Sequence, residues 1–190
     1  SSGGSGLQAA LYSSGYQFKY EDGDGTAHYF KCKSGYSSVY EDEEGMGLTL
    51  TAKETVENYV KYVIASDAGE QLSFTANGNL LKITDSDQNF IKIDYYSDGR
   101  VSCVRDGVNR KTVFTYGTGT ENAKRLQSVT DPSGRVTKFN YADFGCIHSI
   151  EYPDQTQTTF TYDGSCRITK ITGTDGSRLA YTYSASAANK

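Results

Sequence analysis

Two stretches of the 190-residue chain place oxygen-bearing side chains at alternate positions, Asp22-Gly23-Asp24-Gly25 and Asp85-Ser86-Asp87-Gln88-Asn89. Calcium loops are built on that alternation and closed by a bidentate Glu at the twelfth position. Neither stretch supplies that Glu. The second falls in register with Asp131-Pro132-Ser133-Gly134, so both read as turns, where Asp, Asn and Gly belong for backbone reasons. Glu41-Asp42-Glu43-Glu44-Gly45 reads as a further solvated turn. Nucleophilic catalysis needs a base beside its nucleophile. The two histidines are His28 and His148, and the second lies inside a strand pattern, where an exposed structural role is expected. Gly117-Thr118-Gly119-Thr120 is glycine-rich, but no strand-to-helix transition follows to aim amides at a phosphate. Cys32, Cys103, Cys146 and Cys166 form no C-x-x-C pair, which excludes the common zinc spacings. No catalytic residue, metal or cofactor is expected.

Composition narrows the partner classes. The net charge of −4 and pI near 5.2 argue against a nucleic-acid or anionic-membrane partner. No apolar run approaches the length of a membrane span. The chain carries 16 tyrosines and no tryptophan. Tyrosine suits a half-buried pleated surface with one wet edge, which points to sheet.

The elements that must position these residues are hairpins. In Arg125–Tyr141 two β-rich runs flank Asp131-Pro132-Ser133-Gly134, with Pro presetting φ and Gly tolerating the left-handed closing position. The same pattern recurs from starts at Asn79, Arg100, Arg125, Cys146 and Arg167, spaced by 21, 25, 21 and 21 residues. The long spacing is absorbed by a loop insertion at Gly117–Asn122. Four columns align across the five units. One position after each start stand Leu80, Val101, Leu126, Ile147 and Ile168; four after, Ile83, Val104, Val129, Ile150 and Ile171. Fourteen after come Ile93, Phe114, Phe139, Phe160 and Tyr181, and sixteen after, Tyr95, Tyr116, Tyr141, Tyr162 and Tyr183. A fixed period of this kind dictates a repeat architecture. The first two columns lie three residues apart, which strict alternation cannot put on one face. Either each first strand carries a bulge, or both its faces are covered.

Upstream the alternation is less regular. Ser1–Gly6 reads as a flexible linker or scar outside the fold. Residues 7–66 read as a lead-in β segment, residues 67–183 as the repeat region and residues 184–190 as a tail. Strands are expected at Tyr16–Tyr20, His28–Lys31, Tyr36–Tyr40 and Leu48–Thr51. Ala52–Asn58 is the one stretch where a helix competes, though about two turns are marginal in isolation. A loop and then a strand are expected over Tyr59–Ala65.

The cysteines occupy different repeat positions, and equivalent strands of adjacent units should lie about 9–10 Å apart. That exceeds disulfide reach, so Cys146 and Cys166 are not expected to pair and free thiols are expected. The ladder Tyr95, Tyr116, Tyr141, Tyr162 and Tyr183 admits two readings. As core, it packs neighbouring hairpins together; as an exposed surface, its rings would stack on sugar faces. Mixed aliphatic and aromatic occupancy of the neighbouring column favours packing. Open strand edges at the terminal units would favour edge-to-edge self-association.

Tyr141-Ala142-Asp143-Phe144-Gly145, Tyr162-Asp163-Gly164 and the expanded Tyr95-Tyr96-Ser97-Asp98-Gly99-Arg100 carry a resemblance. Together with the Gly99-Arg100 start and the Phe-x-Tyr strand ends, they resemble the tyrosine-aspartate (YD) repeats of RHS proteins, from about Asp67 to Tyr183. Asp24–Phe30 and Tyr40–Gly45 look like the lead-in segment of large secreted Gram-positive members. The resemblance implies an all-β fold, an antiparallel strip of hairpins that curves or spirals into a hollow shell. It also implies a secreted or cell-surface bacterial protein whose shell walls in toxin cargo or presents an adhesive surface to glycan or protein. About five units cannot close such a shell, so a fragment of a larger repeat protein is implied, with the remaining repeats as its partners. The family's Asp-Pro-x-Gly-Leu-x-Gly-Gly cleavage core is not matched: Asp131-Pro132-Ser133-Gly134 runs on into Arg135-Val136-Thr137. No self-cleavage is therefore carried over.

Overall fold

The computed structural model describes residues 6–9, 15–43, 45–118, 124–142 and 145–184. The described chain is all-β, with every strand pairing antiparallel. It divides into two compact units, Ser1–Arg110 and Lys111–Lys190. The first unit contains β1 (Gly6–Ala9), β2 (Phe18–Glu21), β3 (Ala27–Cys32), β4 (Val39–Asp42), β5 (Leu48–Glu57), β6 (Val60–Ser66), β7 (Gln71–Phe74), β8 (Leu80–Thr84), β9 (Phe90–Tyr95) and β10 (Val101–Asp106). The second contains β11 (Lys111–Tyr116), β12 (Leu126–Thr130), β13 (Val136–Tyr141), β14 (Ile147–Glu151), β15 (Gln157–Tyr162), β16 (Ile168–Thr172) and β17 (Arg178–Ala180). Within each unit, strands pair in chain order.

One turn design recurs along the chain. Eleven turns among the described residues span five residues, beginning at 22, 66, 75, 85, 96, 106, 131, 142, 152, 163 and 173. In each, the first N–H donates to the fifth carbonyl and the fourth N–H donates back to the first carbonyl. The fourth residue always has positive φ, as in Gly99 (87°), Gly134 (81°) and Asn109 (62°). Glycine is the natural occupant of that position, which explains Gly25, Gly69, Gly78, Gly145 and Gly176 as well. The 25-residue spacing arises where Gly117 N–H donates to Arg125 O, so nine residues stand where five usually do. Residues 119–123 of that insertion lie outside the described residues.

Bulges resolve the three-residue spacing of the first two columns. Tyr95 faces Val101 while Ile93 faces Val104, with the register shifting between them. The same shift recurs where Tyr116 meets Leu126, Tyr141 meets Ile147 and Tyr162 meets Ile168. One extra residue on each first strand thus brings both columns to the face that carries the aromatic ones.

The core lies in β1–β7, in the segment of least regular sequence. Leu7, Phe18, Phe30, Leu50, Ile64 and Phe74 are buried together, with Tyr20, Tyr40, Leu48, Tyr62, Leu72 and Leu80 packed against them. Phe18 in β2 meets the Tyr62 ring in β6 with centroids 5.2 Å apart. Four strand spacings in a flat sheet would separate them by about 19 Å. The sheet from β2 to β6 is therefore rolled onto itself. Tyr20 reaches Phe74 in β7, at 5.7 Å, by the same curvature. Leu7 N–H donates to Gly78 O, tying β1 to the turn after β7. A side chain at Gly78 would collide with the Leu7 carbonyl.

Several expectations are corrected. Ala52–Asn58 is not helical: β5 runs on to Glu57 and turns at Asn58-Tyr59, because pairing with β6 outweighs a short run's helical preference. Tyr59 is thus a turn residue and β6 begins at once. The fourth strand is Val39–Asp42, shifted C-terminally from Tyr36–Tyr40. Gly6 belongs to β1, so the leading linker ends before it; residues 1–5 lie outside the described residues.

The cysteine expectation is overturned as well. Cys146 and Cys166 form a disulfide, with Cα atoms 7.1 Å apart. The two-strand spacing applies to mid-strand residues held by ladder hydrogen bonds. These two cysteines instead lie in turns on the same edge, Cys146 closing one and Cys166 in the left-handed position of the next (φ 61°). No ladder fixes the separation of such turns. Cys32 and Cys103 are free, as expected.

Candidate functional site

The tyrosine ladder follows from local geometry. Its hydroxyls reach back to the backbone at the bulge: Tyr95 Oη donates to Leu80 O at 2.6 Å, Tyr141 to Leu126 O at 2.7 Å, Tyr162 to Ile147 O at 2.6 Å and Tyr183 to Ile168 O at 2.7 Å. In each case the acceptor belongs to the residue fifteen positions earlier. Bulges leave a carbonyl out of the ladder, and a strand-end phenol is long enough to satisfy it. Tyr95 and Tyr141 are half-buried, and burial raises both phenols above their ordinary pKa. Tyr116 sits at the equivalent position and is also half-buried, whereas Tyr183 is 42% exposed. Arg125 lies over the Tyr141 ring at 5.5 Å and Arg167 over Tyr183 at 4.5 Å, so the start residue of a unit covers that unit's own tyrosine.

The acidic stretches are turn fasteners. Asp131 Oδ1 accepts from the N–H groups of Ser133 and Arg135, and its Oδ2 accepts from Arg135 Nε at 2.7 Å. Asp106 with Arg110 and Asp163 with Arg167 repeat the arrangement, and Asp85 uses the Asn89 amide instead. In the turns at 96, 152 and 173 an Asp two places on accepts from the closing N–H, as Asp98, Asp154 and Asp175, and in those at 66 and 75 the hydroxyl of Ser66 or Thr75 accepts it. The backbone N–H of Arg135, then its side chain, holds Asp131 below the ordinary carboxylate range. For Asp106 the backbone and then side chain of Arg110 do the same, and for Asp163 the Arg167 backbone leads. Asp22 is lowered to about 2, first by hydrogen bonding with the Asp24 side chain and then by the His28 ring.

His28 is buried in β3, stacked on Tyr20 and bonded through Nε2 to Asp22 at 3.1 Å. His148 is exposed in β14. The two histidines therefore sit in different units and share no partner among the described residues. Among the described residues no group of three or more His, Cys, Asp or Glu is placed to hold a metal ion. The polar face of the hairpins is filled with cross-strand pairs, including Thr115–Ser128 hydroxyls at 2.6 Å, Asn140–Ser149 at 3.1 Å and Lys138–Glu151 at 2.9 Å. No protein-family model matches the chain, and no curated protein matches it either.

The sequence reading named the ladder but missed its bonding. The hydroxyl-to-carbonyl bond depends on the bulge, and the bulge was legible only as an odd spacing between columns. The Asp–Arg fasteners were visible as a four-residue recurrence, since Asp106–Arg110, Asp131–Arg135 and Asp163–Arg167 all keep it.

Proposed function

We propose that the chain is a non-enzymatic scaffold, a run of wall from a secreted or cell-surface repeat protein of the RHS/YD kind. The observation that carries this reading is that each recurring reactive type has an architectural partner. Tyrosine hydroxyls cap bulge carbonyls, aspartates close turns, and arginines cover rings or hold those aspartates. The Cys146–Cys166 disulfide supports secretion, because such bonds persist in oxidising compartments. The half-exposed apolar face suits a wall that encloses cargo, with Ile91 44% and Leu179 61% exposed.

Repeat scaffolds gain stability from nearest-neighbour interfaces, so additional units should add to it. Appending two 21-residue units after Tyr183 is expected to raise the melting temperature of the chain and the steepness of its urea transition. An unchanged transition would count against a truncated scaffold and for a self-sufficient module.

The second reading is an adhesin that binds glycan or protein through the sheet and its ladder, and the 42% exposure of Tyr183 favours it. Tyr162→Phe separates the two. Under either reading the lost hydroxyl costs about 1 kcal/mol of stability; an adhesin also loses affinity on a glycan array, whereas a scaffold shows none to lose.

A further inference from the structure

Among the described residues, β17 is the one strand whose residues are all exposed. It pairs with β16, with Ile171 opposite Leu179 and Lys170 opposite Ala180. Tyr181 N–H donates to Thr169 O at 2.9 Å, so the pairing runs one residue further. Alternation turns the backbone groups of Leu179 and Tyr181 toward β16 and those of Arg178, Ala180 and Thr182 the other way. In β15 the equivalent residues Thr159 and Thr161 meet the next strand, opposite Thr172 and Lys170. In β13 Lys138 and Asn140 do the same, opposite Glu151 and Ser149. Ala180 and Thr182 face an open edge.

The side chains of β17 also depart from those of its counterparts. Twelve places after a unit's start, where Thr112, Thr137 and Thr158 stand in earlier units, this unit has Leu179, which is 61% exposed. One place on, Val113, Lys138 and Thr159 give way to Ala180. Tyr181 and Tyr183, 44% and 42% exposed, extend the apolar row. Open edges are commonly guarded by lysine or proline. From Leu179 to Tyr183 this one carries neither, nor any charge.

We propose that two copies of the chain pair antiparallel through this edge, about a two-fold axis at Ala180. The N–H and C=O of Ala180 then exchange hydrogen bonds with the partner's Ala180, and those of Arg178 with the partner's Thr182. On the apolar face Tyr181 meets the partner's Leu179, an aromatic–aliphatic pair like Phe139 with Ile150 and Phe160 with Ile171. The charges fit as well. Arg178 falls opposite a neutral threonine, and the two copies of Arg178 stay roughly 13 Å apart along the strands. A contact one strand wide is smaller than the standard interface of about 1,600 Å², so the dimer forms only as concentration rises. The inference rests on the edge itself and does not require the scaffold reading.

The test is sedimentation velocity of the 190-residue chain from micromolar to millimolar concentration. The expected result is a monomer that passes to a dimer and no further, since the two-fold contact uses up the edge. Ala180→Pro removes an N–H that faces the open side and leaves the bonds to β16 in place. It should weaken dimerisation about tenfold or more with the melting temperature of the monomer unchanged. Thr182→Lys, at an exposed position beyond the strand, sets a lysine against the partner's Arg178 and should weaken the dimer too; it decides the matter if Ala180→Pro does not fold. Three outcomes overturn the inference: a monomer at every concentration, growth into open-ended oligomers, or undiminished dimerisation by a folded variant.

Discussion

The strands β1–β7 and the strands β11–β17 share a turn design and an antiparallel ladder, yet they bury different amounts. In β1–β7, Phe30, Leu50 and Phe74 are wholly inaccessible and Ile64 is nearly so. In β11–β17 the equivalent apolar residues, Phe114, Phe139 and Phe160, are only half-buried. Strand pattern alone does not account for this, since alternation is cleaner in the second region. Closure does: the first sheet rolls until β2 touches β6 and β7 and so covers its own inner face. Stability in the first region should rest on apolar burial. In the second it should lean on turn chemistry, the tyrosine–carbonyl bonds and the disulfide.

The largest test of that contrast removes one ring from each region. Phe30→Ala should cost about 3–5 kcal/mol, because a wholly buried aromatic leaves a cavity behind. Phe139→Ala should cost about 1 kcal/mol, roughly half the value for a fully buried side chain. Urea titration monitored by circular dichroism compares the two midpoints. Equal losses would mean that the second region holds a core of its own.

Next in size is the disulfide, which closes a loop across a sequence separation of 20 in the second region. On loop-closure entropy, Cys146→Ser with Cys166→Ser should lower stability by about 3 kcal/mol. Hydrogen exchange should show faster opening of β14–β16 and unchanged protection of Phe30, Leu50 and Ile64. Uniform loss of protection would show that the two regions unfold together.

The contrast also explains what could be read from the residues. The repeat region was legible because each of its structural bonds is local. An Asp at the turn, an Arg four places on and a Tyr at the strand end recur at fixed offsets, and even the bulge left its trace in the Val101–Val104 spacing. The rolled core was not legible. Its defining contacts, Phe18 to Tyr62 and Tyr20 to Phe74, join strands far apart in sequence, and no offset repeats to announce them. The disulfide was misjudged because a strand spacing was applied to turn residues. Tyr59 was read as the start of a loop before a strand, and its exposure at a strained tip emerges only once β5 and β6 are paired.

The smallest effect per residue concerns the aspartate fasteners, which are exposed and screened by solvent. Asp131 and Asp163 have folded pKa values below the ordinary carboxylate range of about 4. A depressed folded pKa means that the unfolded chain binds the proton first as pH falls. Their stabilisation is therefore complete above that range and is lost as pH drops through the lowered folded values. The melting temperature of β11–β17 should hold from neutrality to about pH 5 and then fall steadily toward pH 2. Asp131→Asn with Asp163→Asn keeps an oxygen to accept the turn N–H groups but removes the charge facing Arg135 and Arg167. That variant should start slightly less stable at neutral pH and show a shallower acid decline. Since β1–β7 depends on apolar burial, its acid response should be confined to Asp22, whose lowered value of about 2 places that loss at the acid end of the range. An equally steep decline in the double variant would place the acid sensitivity outside these turns and weaken the claim that they hold the second region together.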